Sequence, residues 1–314
     1  MTATATKVDG MAEPEVLITR IYEAPRQLVW DALTQPQHLE QWFGPHGFAN
    51  HSAKVELREG GEYSSVMQGP GGFERTAAYT VTVVSPIDRL ELESSDGRDP
   101  SADDYFRVRM IFELEERGTQ TLLTLTGLVL ASGPKAQSPF TGGQGPWSQT
   151  LERLGGTIGS LVIDAPADEP VITISRLFKA SRDLVWEAIS KPEHLKQWWG
   201  PRAATNISVE MDWRIGGTWR VVQRFPDGRE FVFKGEYREI VPPEKVVQTF
   251  GMEGEYAGAE MVETMTLTPL GDVTLLKVTS QADTIESRDG MLASGMSQGA
   301  NETYQRLEEY LAKL

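Results

Sequence analysis

Pro36-Gln37-His38-Leu39-Glu40-Gln41-Trp42-Phe43-Gly44-Pro45 returns as Pro192-Glu193-His194-Leu195-Lys196-Gln197-Trp198-Trp199-Gly200-Pro201. The offset is 156 residues, from Pro36 to Pro192. It holds upstream, between Leu28-Val29-Trp30 and Leu184-Val185-Trp186, and downstream, between Gly60-Gly61 and Gly216-Gly217. A repeat this long is a duplicated domain, not a solenoid unit of roughly 20 to 50 residues. The length of 314 residues agrees, since a domain takes roughly 100 to 200. The reading is therefore a flexible N-terminus over 1–13, a first domain over 14–163, an acidic, proline-rich linker over 164–170 and a second domain over 171–314.

Composition removes several classes of function. The chain has no cysteine, so it offers no disulfide framework and no thiolate ligand or nucleophile. Its start is small and polar, without the basic opening and apolar stretch of a signal peptide, and no run of 18 apolar residues occurs. A net charge of −15 repels phosphate backbones and anionic headgroups. The expectation is a soluble, cytoplasmic protein that binds no nucleic acid and inserts in no membrane.

Each copy opens with a short β-rich run, Val16 to Tyr22 or Val171 to Phe178. Two short helices follow, the first ended by Pro36 or Pro192. In copy one the text then changes to strands at Lys54–Arg58, Glu62–Gln68, Arg75–Val84, Arg89–Ser94, Tyr105–Glu115 and Thr121–Leu128, separated by glycine and proline breakers. An insertion at Ser94 to Asp104 lowers the offset to 153 beyond it, so that Leu267 answers Leu114. A long helix closes each copy, Gly145 to Ile163 and Asp289 to Leu314. The latter carries Leu292, Met296, Ala300, Thr303, Leu307 and Leu311 in one stripe. Gly155-Gly156 weakens the first of these helices by about 1 kcal/mol per glycine relative to alanine.

Strand, two short helices, six strands and a long helix describe an α+β domain, a curved antiparallel sheet wrapped around its C-terminal helix. This order resembles the helix-grip fold of the START-like superfamily, also called SRPBCC. Leu-Val-Trp-x-Ala in the first helix, Pro-x-His-Leu-x-Gln-Trp-(Phe/Trp)-Gly-Pro after it, the Gly-Gly pair and Pro242-Pro243-Glu244-Lys245-Val246-Val247 are similar to the activator of heat-shock-protein-90 ATPase homologue-like family. The resemblance spans both copies. It implies a cavity between sheet and helix that takes a small hydrophobic ligand.

Candidate lining residues are Phe43, Tyr63, Met67, Met110, Phe112 and Trp147 in copy one. In copy two they are Trp199, Trp219, Phe231, Phe233, Tyr237, Met261, Glu263 and Met265. Neighbouring residues of a helix cannot point the same way, so Phe43 and Trp199 are assigned to the pocket and Trp42 and Trp198 to the core. Ala259, Met261, Glu263, Met265 and Leu267 share one face of the sixth strand, where copy one has Phe106, Val108, Met110, Phe112 and Leu114. A carboxylate thus replaces a methionine on an apolar face, which is costly unless it is paired, hydrated or functional. Gly295 and Gly299, four apart on the second terminal helix, allow either close backbone approach to the sheet or room for a ligand.

No nucleophile elbow, phosphate loop or dinucleotide fingerprint is present, and His38 and His194 lack neighbouring ligands for a zinc site. No catalytic residue, metal or cofactor is assigned. The resemblance implies two alternatives to ligand binding: a chaperone partner, with ATPase activation, and an enzyme of the cyclase or hydrolase sort.

Overall fold

Val16, Ile18, Arg20 and Tyr22 are buried while Leu17 and Thr19 are exposed, the period of two expected of a strand with one face on the core. This strand, β1 (Val16–Tyr22), opens the first of two units, Met1–Ser160 and Leu161–Leu314, in a computed structural model that describes residues 14–95, 101–135, 140, 145–254 and 260–314. It is followed by α1 (Arg26–Thr34), α2 (Pro36–Trp42), β2 (Ala49–Val55), β3 (Glu62–Gln68), β4 (Glu74–Ser85), β5 (Arg89–Ser95), β6 (Phe106–Arg117), β7 (Gln120–Ser132) and α3 (Gly145–Thr157). Strands β2 to β7 pair antiparallel in succession and β7 pairs with β1, giving the order β1-β7-β6-β5-β4-β3-β2.

The second unit repeats this arrangement. It comprises β8 (Val162–Asp164), β9 (Val171–Phe178), α4 (Arg182–Ser190), α5 (Pro192–Trp198), β10 (Thr205–Met211), β11 (Thr218–Arg224), β12 (Glu230–Val241), β13 (Lys245–Met252), β14 (Met261–Leu270), β15 (Val273–Gln281), α6 (Ile285–Ala293) and α7 (Met296–Leu311). Its strand order is β10-β11-β12-β13-β14-β15-β9-β8. Both sheets are bent by bulges at equivalent places, Asn50/Ser52 with Asn206/Ser208 and Val81/Val83 with Tyr237/Glu239. A bulge adds a residue to one strand and increases its local bend and twist. The result in each unit is a curved sheet gripping its terminal helix.

The grip is held by apolar contact and by buried arginines. Leu151 and Leu154 of α3, and Leu307 of α7, are fully buried, each a contribution of about 1.5 to 3 kcal/mol. From the opening strand Arg20 donates to Ser148 Oγ at 2.8 Å, and its counterpart Arg176 donates to Asn301 Oδ1 at 3.3 Å and to Glu308 at 2.6 Å. A second arginine reaches back from the helix. Arg153 donates to the carbonyls of Gly44, Pro45 and Gln41 at 2.9, 3.0 and 3.0 Å. Arg306 repeats this on Gly200, Pro201 and Gln197 at 2.8, 3.0 and 2.9 Å. Gln41 and Gln197 lie in the last turn of a short helix and the glycine and proline carbonyls follow it, so the guanidinium caps the helix end and ties down the turn beyond it.

Three elements differ from the sequence reading. The strand expected at Lys54–Arg58 lies earlier, at Ala49–Val55, because Glu56 to Gly61 turn. A Cβ at Gly61 would stand 2.1 Å from the Glu56 carbonyl oxygen. The helix expected over Gly145–Ile163 stops at Thr157, where Ser160 N–H closes on the Gly155 carbonyl and Gly159 takes φ +63°; Val162–Asp164 then pairs with β9. The helix expected over Asp289–Leu314 is two helices. Gly295, at φ +82°, ends one and begins the other, so the expected stripe divides between α6 (Leu292) and α7. The expected insertion lies between β5 and β6, and part of it, together with 1–13 and Ala259, falls outside the described residues.

Candidate functional site

The end of α5 brings two adjacent tryptophans, Trp198 and Trp199, to one cavity. Trp198 is buried in the core and donates from Nε1 to the Ala188 carbonyl at 3.0 Å, as Trp42 donates to Ala32 at 2.7 Å. Trp199 lines a cavity of about 470 Å3 between the sheet, α5, α6 and α7, and the ring of Trp198 borders it too, so the expected division of Trp198 to the core and Trp199 to the pocket holds only in part. The Trp199 carbonyl is fixed by Asn206 Nδ2 at 2.8 Å and Gln223 Nε2 at 3.2 Å. Gly200 beside it is required twice over: its φ is +89°, and a Cβ would stand 1.7 Å from Gln223 Nε2.

Aromatic edges and faces make one wall. Trp199 meets Phe233 edge-on with ring centroids 4.9 Å apart, Trp213 meets Tyr237 at 4.8 Å and Trp219 lies 5.7 Å from Phe250. Methionines supply much of the rest: Met211, Met252, Met261, Met265, Met291 and Met296 all line the cavity, six of the ten in the chain. Unbranched thioethers adapt to differing ligand shapes and favour contact with aromatic rings.

Across this apolar lining runs one polar row. Gln248, Glu263 and Ser280 are direct neighbours in the ladders of β13, β14 and β15. Gln248 Nε2 donates to Glu263 Oε2 at 3.3 Å, and Ser280 Oγ donates to Oε1 at 3.2 Å. Burial pushes the Glu263 carboxyl above its ordinary value, against the opposing effect of these two donors. On α7 the Tyr304 phenol is raised in turn, first by burial and then by the Glu263 charge. In the first unit the same row reads Leu92, Met110 and Gly127. Gly127 there makes room for Phe140, whose ring would lie 2.7 Å from an added Cβ.

The sequence-predicted residues of the second unit therefore converge with one exception. Trp199, Trp219, Phe233, Tyr237, Met261, Glu263 and Met265 line the cavity. Phe231 instead packs on Phe225 at the β11–β12 hairpin, 5.1 Å between centroids, under the Arg229 guanidinium. It shares the face but stands beyond the rim. In the first unit Phe43, Met67 and Trp147 border a separate cavity of about 670 Å3, whereas Tyr63, Met110 and Phe112 are sealed in the core. Phe43 packs edge-on against Tyr63, Tyr79 and Trp147, each at 6.2 Å. Tyr63 donates to the Leu33 carbonyl at 3.0 Å. The partner of Tyr63 across β3 and β4 is Tyr79, whereas the partner of Trp219 across β11 and β12 is Gly235. The second unit thus lacks a ring where the first has one.

His38 and His194 stand apart from these linings. His194 Nδ1 is 2.6 Å from the Tyr310 hydroxyl, while His38 Nδ1 is buried without a partner among the described residues. Among the described residues there is no group of three or more histidine or acidic side chains able to hold a metal, and no helix long and apolar enough to cross a membrane.

The family described as activator of Hsp90 ATPase homolog 1-like protein matches residues 23–159 and again 179–312, one match in each unit. The chain belongs to this family. Solved structures similar to this activator-homologue chain include a protein from Rhodobacter sphaeroides, 27% identical over 48% of this chain and 98% of its own, with a TM-score of 0.45. Another, from Nitrosomonas europaea, is 25% identical over 46% and 96%, with a TM-score of 0.43. No curated protein matches.

Proposed function

We propose that the second unit is a receptor for a small hydrophobic molecule held between its sheet and α6–α7. The observation that carries this reading is the cavity itself. Its volume of about 470 Å3 falls in the range of roughly 300 to 1,000 Å3 typical of small-molecule sites, and its lining is mostly apolar, rich in aromatic rings and thioethers, with a few convergent polar groups. The anchoring around it supports the same reading. Trp199 is held by its own carbonyl and by the Arg306 cap on the next residue, so this wall of the cavity is formed before a ligand arrives.

Titration calorimetry of the full chain with 1-naphthylmethanol, a neutral apolar probe, tests the reading. Saturable binding of one molecule is expected, with a change in tryptophan fluorescence from Trp199, Trp213 and Trp219. Heats no greater than dilution across the soluble range of the probe would overturn it. The family description also names a chaperone ATPase activator. Recovery of a chaperone on the immobilised chain, undiminished by saturating probe, would assign that interaction to a surface other than this cavity.

A further inference from the structure

The charge inside the cavity is one-sided. Among the residues that line it, Glu263 is the one acid, and no lysine, arginine or histidine lines it with Glu263. Each carboxylate oxygen accepts one bond, from Gln248 and from Ser280, both at the long end of the hydrogen-bond range. A carboxylate has about four acceptor sites, so capacity is left toward the cavity. The fold does not need this polar row, since Leu92, Met110 and Gly127 occupy it in the first unit.

Two further features bear on what the row faces. The desolvation of Glu263 is already present in the protein before any ligand binds. A cation entering the cavity offsets it and an anion adds to it. The rings of Trp199, Trp219 and Phe233, and the thioethers around them, are also favourable surroundings for the apolar substituents of such a cation.

We propose that this cavity selects an apolar amine in its cationic form, with the ammonium on Glu263 and the hydrocarbon or arene among the aromatic rings and methionines. This rests on the receptor reading above and names the class of ligand. An amine meets the carboxylate with a charge-assisted hydrogen bond that an alcohol of the same skeleton lacks. The other ionisable groups lining the cavity are the phenols of Tyr237 and Tyr304, both raised by burial and so neutral, and the amine has one anionic partner.

The test compares 1-naphthylmethylamine, 1-naphthylmethanol and 1-naphthoic acid by titration calorimetry on the full chain, at pH 7.5, in wild type, Glu263→Gln and Glu263→Met. Glu263→Met places in this row the residue type that the first unit carries there, so it guards against a glutamine variant that does not fold. The expected order is amine, alcohol, acid, with the amine ahead of the alcohol by about tenfold or more. Both variants should bring the amine-to-alcohol affinity ratio down to about one. Alcohol binding with no amine preference in wild type would overturn the proposal and leave the receptor reading standing. An amine preference that survives in both variants would remove Glu263 from it. Absence of binding by all three compounds would overturn both readings together.

Discussion

Replacing Gly299 by leucine should stabilise the second unit and at the same time exclude its ligand. Gly299 lies on α7 and lines the cavity, its backbone is not in the left-handed region, and a Cβ there would meet nothing within 4 Å. Two gains follow. Leucine is better than glycine in a helix by about 0.8 kcal/mol. Burying its side chain against the methionines and rings adds about 1.5 to 3 kcal/mol. Together the substitution is worth roughly 2 to 4 kcal/mol, which in a domain of this size raises Tm by about 9 °C. Most core substitutions destabilise, so the sign alone is diagnostic. Circular-dichroism melting and titration with 1-naphthylmethanol read the two effects on one sample. If Tm fell, the position would be filled rather than open. If Tm rose with probe affinity unchanged, the ligand would sit elsewhere.

Three other outcomes follow from the same contacts. Arg306→Ala removes the donor to the carbonyls of Gln197 and Gly200, while Pro201 keeps the Ala204 N–H, and should cost about 2 kcal/mol in urea denaturation, with Arg306→Lys restoring less than half because one ammonium cannot fork across the separate acceptors. Gly200→Ala meets both the left-handed backbone and Gln223 at 1.7 Å. It should cost about 3 kcal/mol, of which the Gly200→Ala/Gln223→Ala double variant recovers the steric part but not the backbone part. For Glu263, burial favours the protonated carboxyl in the fold. Its contribution is full below the ordinary glutamate value and is lost as pH rises through the raised folded one. Stability of Glu263→Gln relative to wild type should therefore improve from pH 4 to pH 8, and parallel stability curves would show that Glu263 is hydrated.

Much of the fold is legible in the text because a repeat gives two readings of every element. Trp42 and Trp198 in the same ten-residue run fix the core end of the second helix. The glycine pairs fix the hairpins. What the text hides is where helices break: Gly295 reads as a tolerated glycine within a continuous stripe until its left-handed backbone is seen. Glu263 was legible as an acid among methionines on one strand face. Its partners Gln248 and Ser280 were not, because they meet it only through the ladder register of three strands distant in sequence. Met211, Met252, Met291 and Met296 were missed because they come from four separate elements or their ends. Phe231 was included because alternation reports the face of a strand but not how far along it a cavity extends.

Methionine-methyl NMR during titration with 1-naphthylmethanol tests the central claim most directly. The account predicts shifts at Met211, Met252, Met261, Met265, Met291 and Met296 with one common midpoint, while Met110, sealed in the first unit, does not move. Shifts absent from those six, or centred on Met110, would contradict it.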